Sequence, residues 1–134
     1  MQQAEQNQTE SATGRAAREA AVALARKVAE SSIYKEFEAA SMAFRGDAEA
    51  QKVFRAYQNA RRETQMIQGW GGRDKGFEDR FQRLEKQLLA HPTHRRYMAA
   101  QEELLVALKD LNDYLTGKLG FDFADLAKPA GGCC

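Results

Sequence analysis

Two prolines, two cysteines, two histidines and a single tryptophan are all that this 134-residue chain holds of the residues that commonly punctuate, staple or decorate a fold. Each scarcity excludes something. With so few prolines, helices can run long without interruption. The two cysteines are neighbours at the end of the chain, where their Cα atoms lie about 3.8 Å apart, closer than a disulfide usually requires, so they form no staple. Twenty basic residues nearly cancel nineteen acidic ones. No global field therefore draws the chain to nucleic acid or anionic lipid, and such contacts would need a local patch. No apolar run is long enough to span a bilayer. The stretch from Met1 to Gly14, rich in Gln, Thr and Ser, has neither a basic start nor an apolar run. A secretory leader is not expected, and the reading is cytoplasmic, with reduced thiols. Phosphate-loop, His-Glu-x-x-His and Gly-x-Ser-x-Gly motifs are also missing, so catalysis is the poorer reading and no small-molecule substrate is expected.

What is present is helical. Ala17, Ala21, Leu24 and Val28 share a face, and Ile33, Phe37, Ala40 and Phe44 repeat the same offsets behind the candidate caps Ser31 and Ser32. Gly46 ends this second helix, and Asp47 caps a third, with Val53, Tyr57, Ala60, Thr64 and Ile67 along one side. The glycine-rich stretch from Gly69 to Gly76 is read as the turn of a helical hairpin, after which Phe77, Phe81, Leu84 and Leu88 restart the stripe. Asp79 and Arg83 are spaced to pair on the outer face. Pro92 opens the longest helix, whose Tyr97, Gln101, Leu104, Leu108, Leu111 and Leu115 form a bundle-like seam, and Gly117 and Gly120 break it. Asp122 is placed to cap a short final turn. The expected fold is all-α: a small helical bundle built around a long antiparallel helical hairpin. Residues 1–14 are expected to be a disordered polar tail, 15–128 a single bundle domain and 129–134 a flexible tail.

Few residues carry distinctive chemistry. His91 and His94 are spaced to share a metal, but capping or surface roles are favoured. Arg61-Arg62 and Arg95-Arg96 have acidic neighbours, so a solvated face is preferred to phosphate contact, and direct nucleic-acid binding is not expected. Trp70 in the hairpin turn either anchors a protein partner or folds back over the helix ends. Phe121 and Phe123 lie where a short turn docks on the bundle or on a partner. Cys133 and Cys134, preceded by two glycines, suit metal or cluster ligation or redox exchange. Two thiolates cannot complete an ordinary cluster, so a second copy or another protein would have to supply the remaining ligands.

The runs Ala25-Arg26-Lys27-Val28-Ala29-Glu30, Tyr34-Lys35-Glu36-Phe37 and Asp47-Ala48-Glu49-Ala50-Gln51, followed by His91-Pro92 and a leucine-rich helix, resemble the YlbF/YmcA family of small helical regulators. The likeness covers roughly residues 20–116. It implies a self-associating adaptor that joins protein partners, influences RNA decay or cell-fate regulation and carries an iron–sulfur cluster. Cys133 and Cys134 resemble the cysteine-bearing tail of the YlbF branch. Two positions depart from the family pattern: Asp-Pro at the third helix start is Asp47-Ala48 here, and Asn-Pro before the last helix is His91-Pro92. The alternative reading is a small accessory subunit of a larger metabolic or redox enzyme complex, with the tail delivering or sensing metal or redox state.

Overall fold

The structure is a computed structural model that describes residues 12–122 and Asp125. Most of the N-terminal stretch expected to be disordered, and the whole 129–134 tail, lie outside the described residues. Within them the chain forms five helices and no strand: α1 (Ala12–Glu30), α2 (Ser32–Gly46), α3 (Ala48–Gly69), α4 (Lys75–Ala90) and α5 (Pro92–Leu119). The all-α architecture follows from the 3.6-residue spacing of the apolar positions and from joints set by capping residues. The chain divides into two compact units, Met1–Lys35 and Glu36–Cys134, with the boundary inside α2.

In the first unit, Ser31 makes the joint between α1 and α2. Its Oγ accepts from the Tyr34 amide at 3.2 Å and donates to the Val28 carbonyl at 2.6 Å, so one hydroxyl closes one helix and opens the next. The α1 stripe remains open: Ala17, Ala21 and Leu24 are exposed and Val28 is half-buried.

In the second unit, α3 and α4 form the expected antiparallel hairpin. Tyr57 stacks on Phe81 with centroids 5.3 Å apart, and Arg80 reaches Glu63 at 3.4 Å. The Asp79–Arg83 pair expected on the outer face does not form; neighbouring Arg80 crosses to α3 instead. The turn is also shorter than the glycine content suggests. Asp74 Oδ1 accepts from the Gly76 and Phe77 amides, which pulls Lys75 and Gly76 into the first turn of α4. Gly117 is likewise absorbed within α5. Gly120 does the breaking, because only it adopts the left-handed conformation, with φ of 77° and its amide donating to the Thr116 carbonyl.

The core gathers around Phe44 of α2, together with Ala50 and Leu88 and flanked by Val53, Phe54, Tyr57 and Tyr97. Phe44 stacks on Tyr97 at 5.4 Å and meets Phe54 and His94 edge-on at 5.6 and 5.3 Å. No large side chain is completely buried among the described residues, whereas Leu105, Val106, Leu108, Tyr114 and Leu119 of α5 are exposed. The C-terminal half of α5 therefore presents more apolar surface than its own chain covers.

Candidate interaction site

Two joints meet beside the core, and a small polar cluster ties them together. Asp47, between α2 and α3, accepts the Ala50 amide at 3.1 Å through Oδ1 and the Thr93 hydroxyl at 3.0 Å through Oδ2. His91 Nδ1 lies 3.1 Å from the Thr93 hydroxyl and 3.8 Å from Asp47. The bond from the Ala50 amide holds the Asp47 carboxyl below its usual range; burial opposes the shift, while Thr93 and His91 add to it. His91 occupies the cap position of α5 without making a side-chain cap bond. His94 is a core residue rather than the capping or surface residue expected: it is buried against Phe44, and its Nδ1 has no partner. Burial lowers its pKa, a backbone bond with Leu88 works the other way, and the His91 charge lowers it further.

This cluster positions helices and exposes little of itself. The outward-facing residues lie elsewhere, first at the hairpin tip. The Trp70 amide donates to the carbonyls of Met66 and Ile67 at 3.3 and 3.2 Å, and the Gly72 amide donates to Ile67 at 3.0 Å, which closes α3. Gly71 makes the reversal with φ of 75°, a conformation that disfavours any side chain. Against this anchored backbone the Trp70 side chain is 82% exposed, so it does not fold back over the helix ends. Met66, one helical turn earlier, is exposed as well. The sequence reading did not single out Met66, although it lies four residues before Trp70 and off the core stripe. Together they give the tip an aromatic and a thioether surface, the kind of adaptable apolar pair that protein partners engage.

The second outward feature follows α5. Phe121 is exposed, and Asp122 accepts the Asp125 amide at 3.2 Å, the capping bond expected for a short turn. Phe123, Cys133 and Cys134 lie outside the described residues. Among the described residues, no three His, Cys, Asp or Glu side chains come together as a metal-binding group. Nor does any described helix have the length and apolarity to cross a membrane. Of the arginine pairs, Arg96 is held by Glu36 through two bonds of 2.8 and 3.0 Å, and Arg62 donates to Asn59. Arg61 and Arg95 face solvent. The structure thus brings Trp70 into a presented position, leaves Phe121 outward and does not gather the arginines into one patch.

A model of the family described as "Control of competence regulator ComK, YlbF/YmcA" matches residues 17–119, from within α1 to the end of α5. No curated protein and no solved structure matches the chain.

Proposed function

The chain belongs to the YlbF/YmcA family, a family of regulators described by control of the competence regulator ComK, and on that basis we propose that it acts as a non-catalytic, cytoplasmic adaptor that binds and assembles protein partners. The observation that carries this reading is the Trp70 side chain, 82% exposed on a backbone turn pinned by hydrogen bonds. An exposed tryptophan on a rigid support loses little conformational freedom when a partner covers it, which is what a binding anchor requires.

In the same reading, Cys133 and Cys134 contribute two thiolates to an iron–sulfur cluster. The sequence holds only these two cysteines, so the remaining thiolates of a four-cysteine cluster come from a second copy or a partner. When bound, the cluster supplies electron transfer or a redox-sensitive link between subunits. Regulation of RNA decay or of cell fate is the output this adaptor serves.

The test is an anaerobic affinity capture from native cells, run in parallel with wild-type protein and Trp70→Ala. The expected result is recovery of a regulatory or RNA-decay complex that is weakened at least ~30-fold in affinity by the substitution, a hot-spot loss of about 2 kcal/mol. Equal capture by both proteins removes Trp70 as the anchor, and a stoichiometric metabolic enzyme in place of a regulatory complex favours an accessory-subunit role. Titration with iron and sulfide addresses the cluster separately: colour that survives replacement of both cysteines by serine removes them as ligands.

A further inference from the structure

The arginine pairs stay apart, but other cations of the α3–α4 hairpin come together. Lys52, Arg55, Asn59, Arg62, Met66 and Trp70 follow one another in steps of three and four along α3 and its cap, which puts them on one side of the helix, and all six are exposed. From Gln51 to Trp70 the chain carries Lys52, Arg55, Arg61 and Arg62 against one acid, Glu63, and Arg80 of α4 already engages that acid at 3.4 Å. Arg62 donates to Asn59, a neutral acceptor that leaves its charge uncompensated. Among the described residues, Lys52, Arg55 and Arg83 have no ion-pair partner. Arg83 joins the same side from α4: with Arg80, Leu84 and Gln87 it lines an open groove of about 240 Å³ against Ala56, the neighbour of Arg55. The small Ala56 side chain leaves this gap, and half-buried Leu84 gives it an apolar floor.

We propose that this side of the hairpin docks an acidic segment of a protein partner, whose carboxylates meet Lys52, Arg55 and Arg83 and whose apolar end covers Met66 and Trp70. The proposal rests on the adaptor reading above and deepens it by naming the chemistry of the partner. Charge complementarity identifies the occupant: three unpaired cations surround one groove, and guanidinium groups hold carboxylates through paired, charge-assisted hydrogen bonds. The acids of the hairpin do not compete for them. Glu78 lines a separate groove with Thr64 and Gln68, and Asp79 lies on the outer face of α4, where Lys86 offsets it. Glu49 sits in the first turn of α3, before the cationic row begins. The side is graded along its length, cationic toward the α2–α3 joint and apolar at the tip, so it also sets the direction in which the segment lies.

A single-stranded nucleic acid fits the same cations less well. Such a strand needs aromatic platforms interleaved with the charges, so that successive bases can stack. Here the one exposed aromatic of the row, Trp70, stands beyond its cationic part, next to the thioether of Met66. Glu63 would meet phosphates along the strand, and a net charge of +1 supplies no field to gather a polyanion. Carboxylates followed by an apolar anchor match both ends of the row.

The test uses the full chain under reducing conditions. Lys52 to Trp70 spans about 27 Å of helix, and an extended peptide of about eight residues covers that distance. The probe is a fluorescent peptide of that length, with glutamates at one end and leucine and tryptophan at the other; binding is read by anisotropy at low salt. The same peptide with glutamine for glutamate, and a labelled oligouridine, are run beside it against the wild type and the double variant Arg55→Glu/Arg83→Glu. The expected result is that the wild type binds the glutamate peptide, less tightly as salt rises, with about tenfold weaker affinity for the glutamine peptide and about tenfold weaker binding of the glutamate peptide by the double variant. Both substitutions fall on exposed positions, and circular dichroism with a thermal melt checks that the variant stays folded; the two-peptide comparison on the wild type needs no variant. Failure of the wild type to bind the glutamate peptide, equal binding of the two peptides, or undiminished binding by the folded double variant overturns the proposal. Oligouridine bound as tightly as the glutamate peptide also overturns it and assigns the face to nucleic acid. In the native-cell capture, a double variant that recovers the complex lost by Trp70→Ala counts against this face alone, whereas peptide binding as expected with no complex captured counts against the adaptor reading alone.

Discussion

Phe44 and Trp70 are both aromatic residues near the end of a helix, yet one is the centre of the core and the other is the most exposed large hydrophobic side chain among the described residues. The difference lies in how many joints converge. Phe44 sits where the α2–α3 and α4–α5 joints are tied by Asp47 and Thr93, so Phe54, Leu88, His94 and Tyr97 can close around it. Trp70 sits at a single joint, where four backbone bonds fix the turn and leave its side chain 82% exposed. Burial in this protein follows from joints meeting more than from side-chain hydrophobicity, and the aromatic at the lone joint remains available to another molecule.

Substitutions at the crowded joint should reveal this contrast most strongly. Phe44→Ala removes the ring on which three aromatic contacts depend, and the expected loss is about 3–5 kcal/mol of unfolding free energy, measured by urea titration. A loss below about 1 kcal/mol would mean that Phe44 does not organise the joint. His94 gives the second effect, and its sign follows from burial of the neutral ring. The folded-state pKa is depressed below the unfolded value of 6.5, so the unfolded chain takes up the proton first. The associated stability is fully present above about pH 6.5 and is lost as pH falls through the folded-state value. His94→Leu should therefore flatten the dependence of thermal midpoint on pH between about pH 7 and about pH 5. An unchanged slope would place the titration elsewhere.

The fold was legible because its signals are local. The stripe from Ile33 to Phe44, the Asp47 cap, Pro92 at the start of α5 and the left-handed Gly120 each depend on a few neighbouring residues, and the structure realises all of them. The errors arose where one local signal outweighed another. Four glycines between 69 and 76 suggested a long turn, but the Asp74 carboxylate captured two amides and restarted the helix early. Gly117 was read as a breaker, yet α5 continues through it. The role of His94 was hidden for a different reason. Its burial depends on Phe44, fifty residues away in sequence, and no spacing within α5 reports that contact. The candidate site divides along the same line. Exposure of Trp70 was one of two outcomes the sequence allowed, and only the structure decided between them.

Asp47 tests whether the two joints are coupled. Asp47→Ala removes the cap of α3 and the acceptor for Thr93 together, so the urea midpoint at neutral pH should fall by more than capping alone explains. Thr93→Val, which removes only the inter-joint bond, provides the reference. Because the folded-state pKa of Asp47 is lowered, its contribution is present above about pH 3.8 and is lost as pH falls through the folded value. The deficit of Asp47→Ala should therefore narrow in acid, and a deficit that stays constant down to about pH 3 would show that the carboxylate charge is not what holds the joints.

The smallest expected effect on stability lies at the lone joint. Trp70→Ala removes the largest side chain the protein has, but that side chain is 82% exposed, and the turn is closed by the backbone amides of residues 70, 71 and 72. Its unfolding free energy should change by no more than about 0.5 kcal/mol, as for a surface substitution. A loss comparable to that of Phe44→Ala would mean that the indole packs against the protein in solution, and the contrast between a crowded joint and a lone one would no longer explain which aromatic is left for a partner.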